Sequence, residues 1–137
     1  MEQDIDTSIR TIVSVEDDTT MIDLFRFILK MEGFEVLGAT NGAAGLELIE
    51  LTKPDLVLLD LSMPGMDGWE VYAHMKADET MRSIPVIVVT CKSSSIDEIL
   101  ARNIAKVDDY IPKPFSPRKL VETINRVLGI SEKALQQ

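Results

Sequence analysis

Apolar runs and helix-spaced apolar stripes alternate five times along this chain, the pattern of repeated strand, helix, strand units around a parallel sheet. The most informative run is Leu56-Val57-Leu58-Leu59, which has no polar alternation and so describes a strand covered on both faces. Ile12 to Val15 predicts the first strand, Glu35 to Ala39 a weaker second, Ile84 to Val89 the fourth and Tyr110-Ile111 a short fifth. Gly38 inside the second run points to an edge position.

Between these runs the period changes. Met21, Leu24, Phe25, Ile28 and Leu29 recur at helical spacing and predict a helix that Gly33 ends. Asn41-Gly42 turns into a short helix over Leu46 and Ile49, stopped by Lys53-Pro54. Asp67 predicts the N-cap of a third helix whose Val71 and Met75 face inward. Ile96, Ile99, Leu100 and Ile104 mark a fourth, and Ser116-Pro117 opens a fifth carrying Leu120, Ile124, Val127 and Leu128. The expected fold class is α/β: a doubly wound five-stranded parallel sheet of order 2-1-3-4-5 with five helices.

Open parallel sheets bind ligands at the carboxyl ends of their strands, and that edge is where the polar residues gather. The first strand delivers Glu16, Asp17 and Asp18; the third Asp60; the fourth Thr90; the fifth Lys113. A strand-end carboxylate such as Asp60 can be a nucleophile, a metal ligand or both. Clustered carboxylates repel and need a compensating cation, and oxygen donors without Cys or a second His favour a hard ion, Mg²⁺ over a dedicated Ca²⁺ cage. Lys113 and Thr90 add a fixed charge and a hydroxyl donor, completing a cradle for the oxygens of a transferring phosphoryl group.

Composition narrows the class further. The 137 residues fit one domain, with an expected N-terminal extension over 1–10, the domain over 11–129, and a tail or helix extension over 130–137. Asp plus Glu (23) exceed Lys plus Arg (14), giving net charge −9, and no basic run exceeds a pair, so non-specific nucleic-acid binding is excluded. The first ten residues lack a signal peptide's apolar stretch, and no segment approaches the roughly 20 apolar residues of a membrane span, so a cytoplasmic location is expected. Cys91 is the one cysteine, which excludes a disulfide framework and a thiolate metal cage; it is expected to be a small, nearly buried residue beside the site.

From about Thr11 to Leu128 the chain resembles the receiver domain of two-component response regulators, a flavodoxin-like fold. The motifs that carry the resemblance are Val15-Glu16-Asp17-Asp18, Asp60 with Met63-Pro64-Gly65-Met66-Asp67-Gly68, Val89-Thr90, and Asp109-Tyr110-Ile111-Pro112-Lys113-Pro114-Phe115. The resemblance implies that Asp60 is the phosphoacceptor and that Asp17, Asp60 and the Ser62 carbonyl hold Mg²⁺, with Glu16 contacting the ion directly or through water. It implies that Lys113 and Thr90 bind phosphoryl oxygens, that Tyr110 is the aromatic switch following Thr90, and that Lys113-Pro114 is a cis peptide. A sensor histidine kinase or histidine phosphotransfer protein would be the donor and a downstream effector protein the target, reached through the face of helix 4, strand 5 and helix 5. Such a chain catalyses only its own phosphorylation and dephosphorylation. With no DNA-binding or enzymatic module after Gly129, the expectation is output through another protein, as in a single-domain regulator or a phosphorelay intermediate, the alternative being a receiver that is a piece of a longer chain.

Two departures from the family and one flanking pair of residues refine the picture. Lys106-Val107 stands where the family usually has Gly-Ala, so a strained or rebuilt end to helix 4 is expected. Lys119 and Thr123 replace the Glu and Arg of the subclass that dimerises through this face, which leaves a monomer or weak dimer. Ser62 and Lys92, two residues after Asp60 and Thr90, flank the approach of a hydrolytic water, and neither is suited to accept its proton, so a long-lived phosphoryl group is expected. Other classes fit less well. A haloacid-dehalogenase-type phosphatase needs a carboxylate where Ser62 stands, and a phosphotransfer protein using His74 needs an all-helical bundle. Gly42-Ala43-Ala44-Gly45 is no phosphate-binding fingerprint. The remaining alternative is a phosphorylation-independent interaction module of the same fold.

Overall fold

The computed structural model describes residues 9–91 and 95–130, with only the backbone of Ser95. In chain order the elements are β1 (Arg10–Val15), α1 (Thr19–Lys30), β2 (Phe34–Ala39), α2 (Gly42–Thr52), β3 (Leu56–Leu59), α3 (Gly68–Ala77), β4 (Val86–Thr90), α4 (Ser95–Ile99) running into a π-wound segment (Leu100–Ala105), β5 (Asp109–Pro112) and α5 (Pro117–Leu128). The strands form one parallel sheet in the order β2-β1-β3-β4-β5. Alternate residues of each strand point to opposite faces, which divides the core in two. Val13, Val57, Leu59 and Val88 face α2, α3 and the π segment; Ile12, Leu56, Leu58 and Ile87 face α1 and α5. Each fully buried aliphatic side chain contributes about 1.5–3 kcal/mol, and β3 and β4 are buried along their whole length.

Side-chain caps set the starts of the helices. Asp18 accepts from the Thr20 N–H, Asn41 from Ala44 and Ser116 from Lys119. Asp67 and Glu70 form a reciprocal capping box at α3, so two orphan donors are satisfied together. The Phe25 and Phe115 rings stack at 5.8 Å and join α1 to the segment that leads into α5.

Several boundaries differ from expectation for local reasons. The inward face of α1 carries Ile22, Phe25, Ile28 and Leu29, while Leu24 is exposed, so the buried stripe is rotated from the one the spacing suggests. Arg10 already pairs with Phe34 in the sheet. β4 begins at Val86 instead of Ile84: Pro85 has no N–H for the ladder, and the Val86 N–H goes to Asp108 Oδ2 at 2.7 Å. β2 lies at the edge, as Gly38 indicated.

The fourth helix departs most. Its apolar stripe points outward, with Ile96, Ile99, Leu100 and Ile104 all exposed, and Ala101 is the buried residue of the π segment. The Lys106 and Val107 N–H groups both reach the Ala101 carbonyl, and Lys106 takes the left-handed conformation (φ 59°, ψ 47°) that the missing glycine would have supplied. Val107 then turns into the core, and the Tyr72 hydroxyl donates to the Ala105 carbonyl at 2.8 Å. A residue with a Cβ in that conformation is strained by about 1–2 kcal/mol, against about 0.5–1 kcal/mol of extra chain entropy lost by glycine on folding. Lys106→Gly is therefore expected to stabilise the fold by about 0.5–1 kcal/mol in denaturant titration; a destabilised variant would show that the Lys106 side chain contributes more than its backbone loses.

Candidate functional site

The parallel ladder carries the acidic residues to one edge. Past the strand ends, the Glu16 N–H still reaches Ala39 O at 2.9 Å and the Asp60 N–H reaches Val15 O at 3.1 Å, so both carboxylates leave a fixed backbone. Glu16 is 2% and Asp60 5% exposed, while Asp17 lies open beside them. Lys113, after β5, places Nζ 2.6 Å from Glu16 Oε1 and 3.5 Å from Asp60 Oδ2. Its backbone N–H donates to Thr90 O at 2.9 Å, and its bond to Pro114 is cis. The other Asp60 oxygen, Oδ1, accepts from the Ser62 N–H at 3.1 Å, and Glu16 Oε2 accepts from the Asp18 N–H at 3.1 Å. Thr90, fully buried, ends β4 on the neighbouring strand.

Charge in this pocket is unbalanced. Burial works against the Lys113 ammonium, but the hydrogen bond to Glu16 and the Asp60 charge outweigh it and raise the lysine pKa. Burial also raises the Glu16 carboxyl; Lys113 and the Asp18 N–H pull it down, Asp60 pushes it up, and it ends above its usual value. Both groups hold their protons more tightly than usual, the lysine because two carboxylates face it and the glutamate chiefly because it is buried. Glu16, Asp17 and Asp60 each offer an oxygen within 4.8 Å of the others. An all-carboxylate set suits a hard divalent cation and not a soft one.

The remaining expected residues fall in different places. Asp18 leaves the acidic group to cap α1. Ser62 is exposed next to the pocket, and Lys92 lies outside the described residues. Tyr110 is 2% exposed on β5, its hydroxyl pKa raised by burial and by the charges of Asp97 and Glu98. His74 sits on the open side of α3. Cys91 corrects an expectation: it is exposed, because it is the first residue beyond the buried end of β4. Gly42 and Gly45 are helical residues of α2, and a Cβ there would meet Met66, Val71 and Val15.

Two features escaped the sequence. Gly68, the first residue of α3, lies against the acceptor's own backbone: a Cβ there would sit 2.3 Å from the Asp60 carbonyl oxygen and 2.7 Å from Leu61 Cα, and its N–H donates to Leu61 O at 3.2 Å. The glycine was visible in the motif, but its spatial neighbour was not. The second is a carboxylate, Asp109, on which Arg102 and Arg126 converge from two helices; no spacing rule links those positions.

Known proteins share this family and fold. A family model described as "Response regulator receiver domain" matches residues 12–125. The sensory transduction protein RegX3 of Mycobacterium tuberculosis is 39% identical over 118 residues, 86% of this chain and 50% of that protein, so the chain spans half the length of this curated relative. A solved CheY-like response regulator receiver domain protein from Methanospirillum hungatei superposes with a TM-score of 0.79 at 36% identity, covering 93% of this chain and 99% of that one. A signal receiver domain of a histidine kinase from Syntrophus aciditrophicus gives 0.79 at 31% identity, covering 90% and 93%. With the strand order, the acidic pocket and the family match over nearly the whole described chain in agreement, this chain belongs to the response regulator receiver domain family.

Proposed function

We propose that the chain is a phosphorylation-operated signalling switch whose acceptor is Asp60. The observation that carries this reading is the convergence of Asp60, Glu16 and Lys113 from three strand ends into one pocket, with Lys113 Nζ within 3.5 Å of the acceptor carboxylate. An Asp60 oxygen attacks the phosphorus of a phosphohistidine on a histidine kinase or phosphotransfer protein. The P–O bond forms as the P–N bond breaks, and the leaving imidazole keeps the electron pair and takes a proton. The protein's part is positioning and charge neutralisation. Lys113 meets one phosphoryl oxygen and the Thr90 hydroxyl donates to another; Glu16, Asp17, Asp60 and the Ser62 carbonyl would hold Mg²⁺. When bound, the ion neutralises charge on the transferring group. The response then passes through Thr90 and Tyr110 to the fourth helix, β5 and α5. The exposed Ile96, Ile99 and Ile104 offer a downstream protein an apolar surface there. Among the described residues no helix is long and apolar enough to cross a membrane, and we place the switch in the cytoplasm.

The test is direct: incubation with acetyl phosphate and Mg²⁺ is expected to add one phosphoryl group by intact mass. No uptake from acetyl phosphate or from any phosphohistidine donor would leave a phosphorylation-independent interaction module.

Metal binding has its own signature. Because three close carboxylates repel in the free protein, Mg²⁺ at ten times its Kd is expected to stabilise the fold by about 1.4 kcal/mol, a rise of roughly 4 °C in melting temperature for a domain of this size. Asp17→Asn removes an exposed ligand without disturbing the core, and the gain is expected to shrink by more than half. An undiminished gain would move the cation away from Asp17.

A further inference from the structure

One side-chain cluster joins the fourth helix, β5 and α5. Asp109, first residue of β5, has a side chain only 12% exposed. It accepts from the Tyr110 N–H at 2.7 Å, from Arg102 Nη1 at 2.9 Å and from the Arg126 guanidinium. Arg102 reaches further: Nη2 donates to the Tyr110 carbonyl at 3.2 Å and Nε to Glu98 at 2.8 Å. A single guanidinium therefore cross-links α4, the π segment and β5, and a second ties in α5. Burial alone would raise the Asp109 carboxyl, but the Tyr110 N–H and the two arginines outweigh it and hold it below its usual value.

We infer that the Arg102–Asp109–Arg126 cluster is a latch that holds the fourth helix in its resting position, so that the response to phosphorylation must break it. β5 is fixed by its pairing with β4, Val88 opposite Tyr110 and Thr90 opposite Pro112. Any movement of the helix against that strand must therefore pull Arg102 off the Asp109 carboxylate and the Tyr110 carbonyl. The helix turns its large apolar side chains outward. Ile96, Ile99, Leu100 and Ile104 are exposed, Ala101 is the buried residue of its second half, and the Tyr72 bond to Ala105 holds its far end. A π-wound segment also carries an extra residue relative to an α-helix between the same ends, slack that lets the register change without breaking the chain. Charge-assisted hydrogen bonds are the strong ones, so this guanidinium contributes much of the resting state's advantage.

The inference rests on Asp60 as acceptor, but Arg102 bonds to none of Glu16, Asp60 or Lys113. Its removal changes the balance between the two states and leaves the phosphoryl site intact. Asp109 keeps Arg126 and the Tyr110 N–H, so Arg102→Gln leaves no orphaned buried charge. If the binding-competent arrangement is a minor one, its fraction multiplies the apparent affinity for any ligand that selects it.

The experiment titrates the full 137-residue chain with beryllofluoride in Mg²⁺, following the backbone amides of Ala101 and Tyr110 by NMR. Arg102→Gln is expected to lower the half-saturating concentration about fivefold, equivalent to about 1 kcal/mol. Glu98→Gln, which removes Arg102's partner on its own helix and leaves the contact to Asp109, is expected to stay within twofold of wild type. An unchanged or raised midpoint in Arg102→Gln overturns the latch, as does an equal shift in Glu98→Gln. Absence of any response in the wild type would instead overturn the acceptor reading, and the latch with it.

Discussion

Asp60→Asn is expected to abolish phosphoryl uptake from acetyl phosphate, with a residual rate below about one-hundredth of wild type, a barrier increase of at least roughly 2.7 kcal/mol. The amide has the carboxylate's shape, and its oxygen still accepts from the Ser62 N–H, so the loop after β3 stays in place. What disappears is the anionic oxygen that forms the bond to phosphorus. The variant also removes the repulsion between Asp60 and buried Glu16, one of the causes that raise the Glu16 pKa. Loss of uptake should therefore come with unchanged or slightly increased stability, a combination that separates lost chemistry from lost folding. The competing acceptors are exposed: Asp17, Ser62 and His74 all face solvent. Uptake by Asp60→Asn at the wild-type rate would assign the chemistry to one of them and take it out of the pocket.

Gly68→Ala is expected to have the largest effect of any single-methyl change near the site, about 3 kcal/mol of destabilisation and roughly 10 °C in melting temperature. The new Cβ would lie 2.3 Å from the Asp60 carbonyl oxygen and 2.9 Å from its carbon, and these are backbone atoms with no rotamer to escape into. Either α3 backs away from β3 or the Asp60 peptide tilts. In the second case the carboxylate turns away from Lys113, and phosphorylation slows beyond what instability explains. Gly65→Ala is the comparison. Gly65 has φ +76° but nothing within 4 Å of a Cβ, so its substitution strains only its own backbone, by about 1–2 kcal/mol. A Gly68→Ala variant as stable as Gly65→Ala and as readily phosphorylated would show that α3 can slide freely on the acceptor strand.

The unbroken apolar runs were sufficient to read the sheet and its edge chemistry. Leu56 to Leu59 and Val86 to Val89 contain no residue that tolerates exposure, so both had to be covered strands, and a polar residue following such a run has to lie at the sheet's rim. Hence Asp60, Thr90, Glu16 and Lys113 are legible in the sequence as a group at that rim, whereas the left-handed position at Lys106 is legible only through the family resemblance, which puts a glycine there. The helices were read less well, because periodicity reports that a face is apolar without saying what it meets. In α1, Met21, Ile22, Leu24 and Phe25 are all apolar, and only contact with the sheet selects Ile22 over Leu24. In the fourth helix Ile96, Ile99, Leu100 and Ile104 follow helical spacing yet point to solvent, while small Ala101 takes the inward place. The Gly68 contact and the Arg102–Asp109–Arg126 cluster depend on distances between elements and leave no trace in local pattern. Sequence alone thus determined the strands and which polar residues follow them at the sheet's rim, since burial on two faces admits few residue types. Tertiary structure decided which way each helix turned and which charges met, since those depend on packing between elements that no local period encodes.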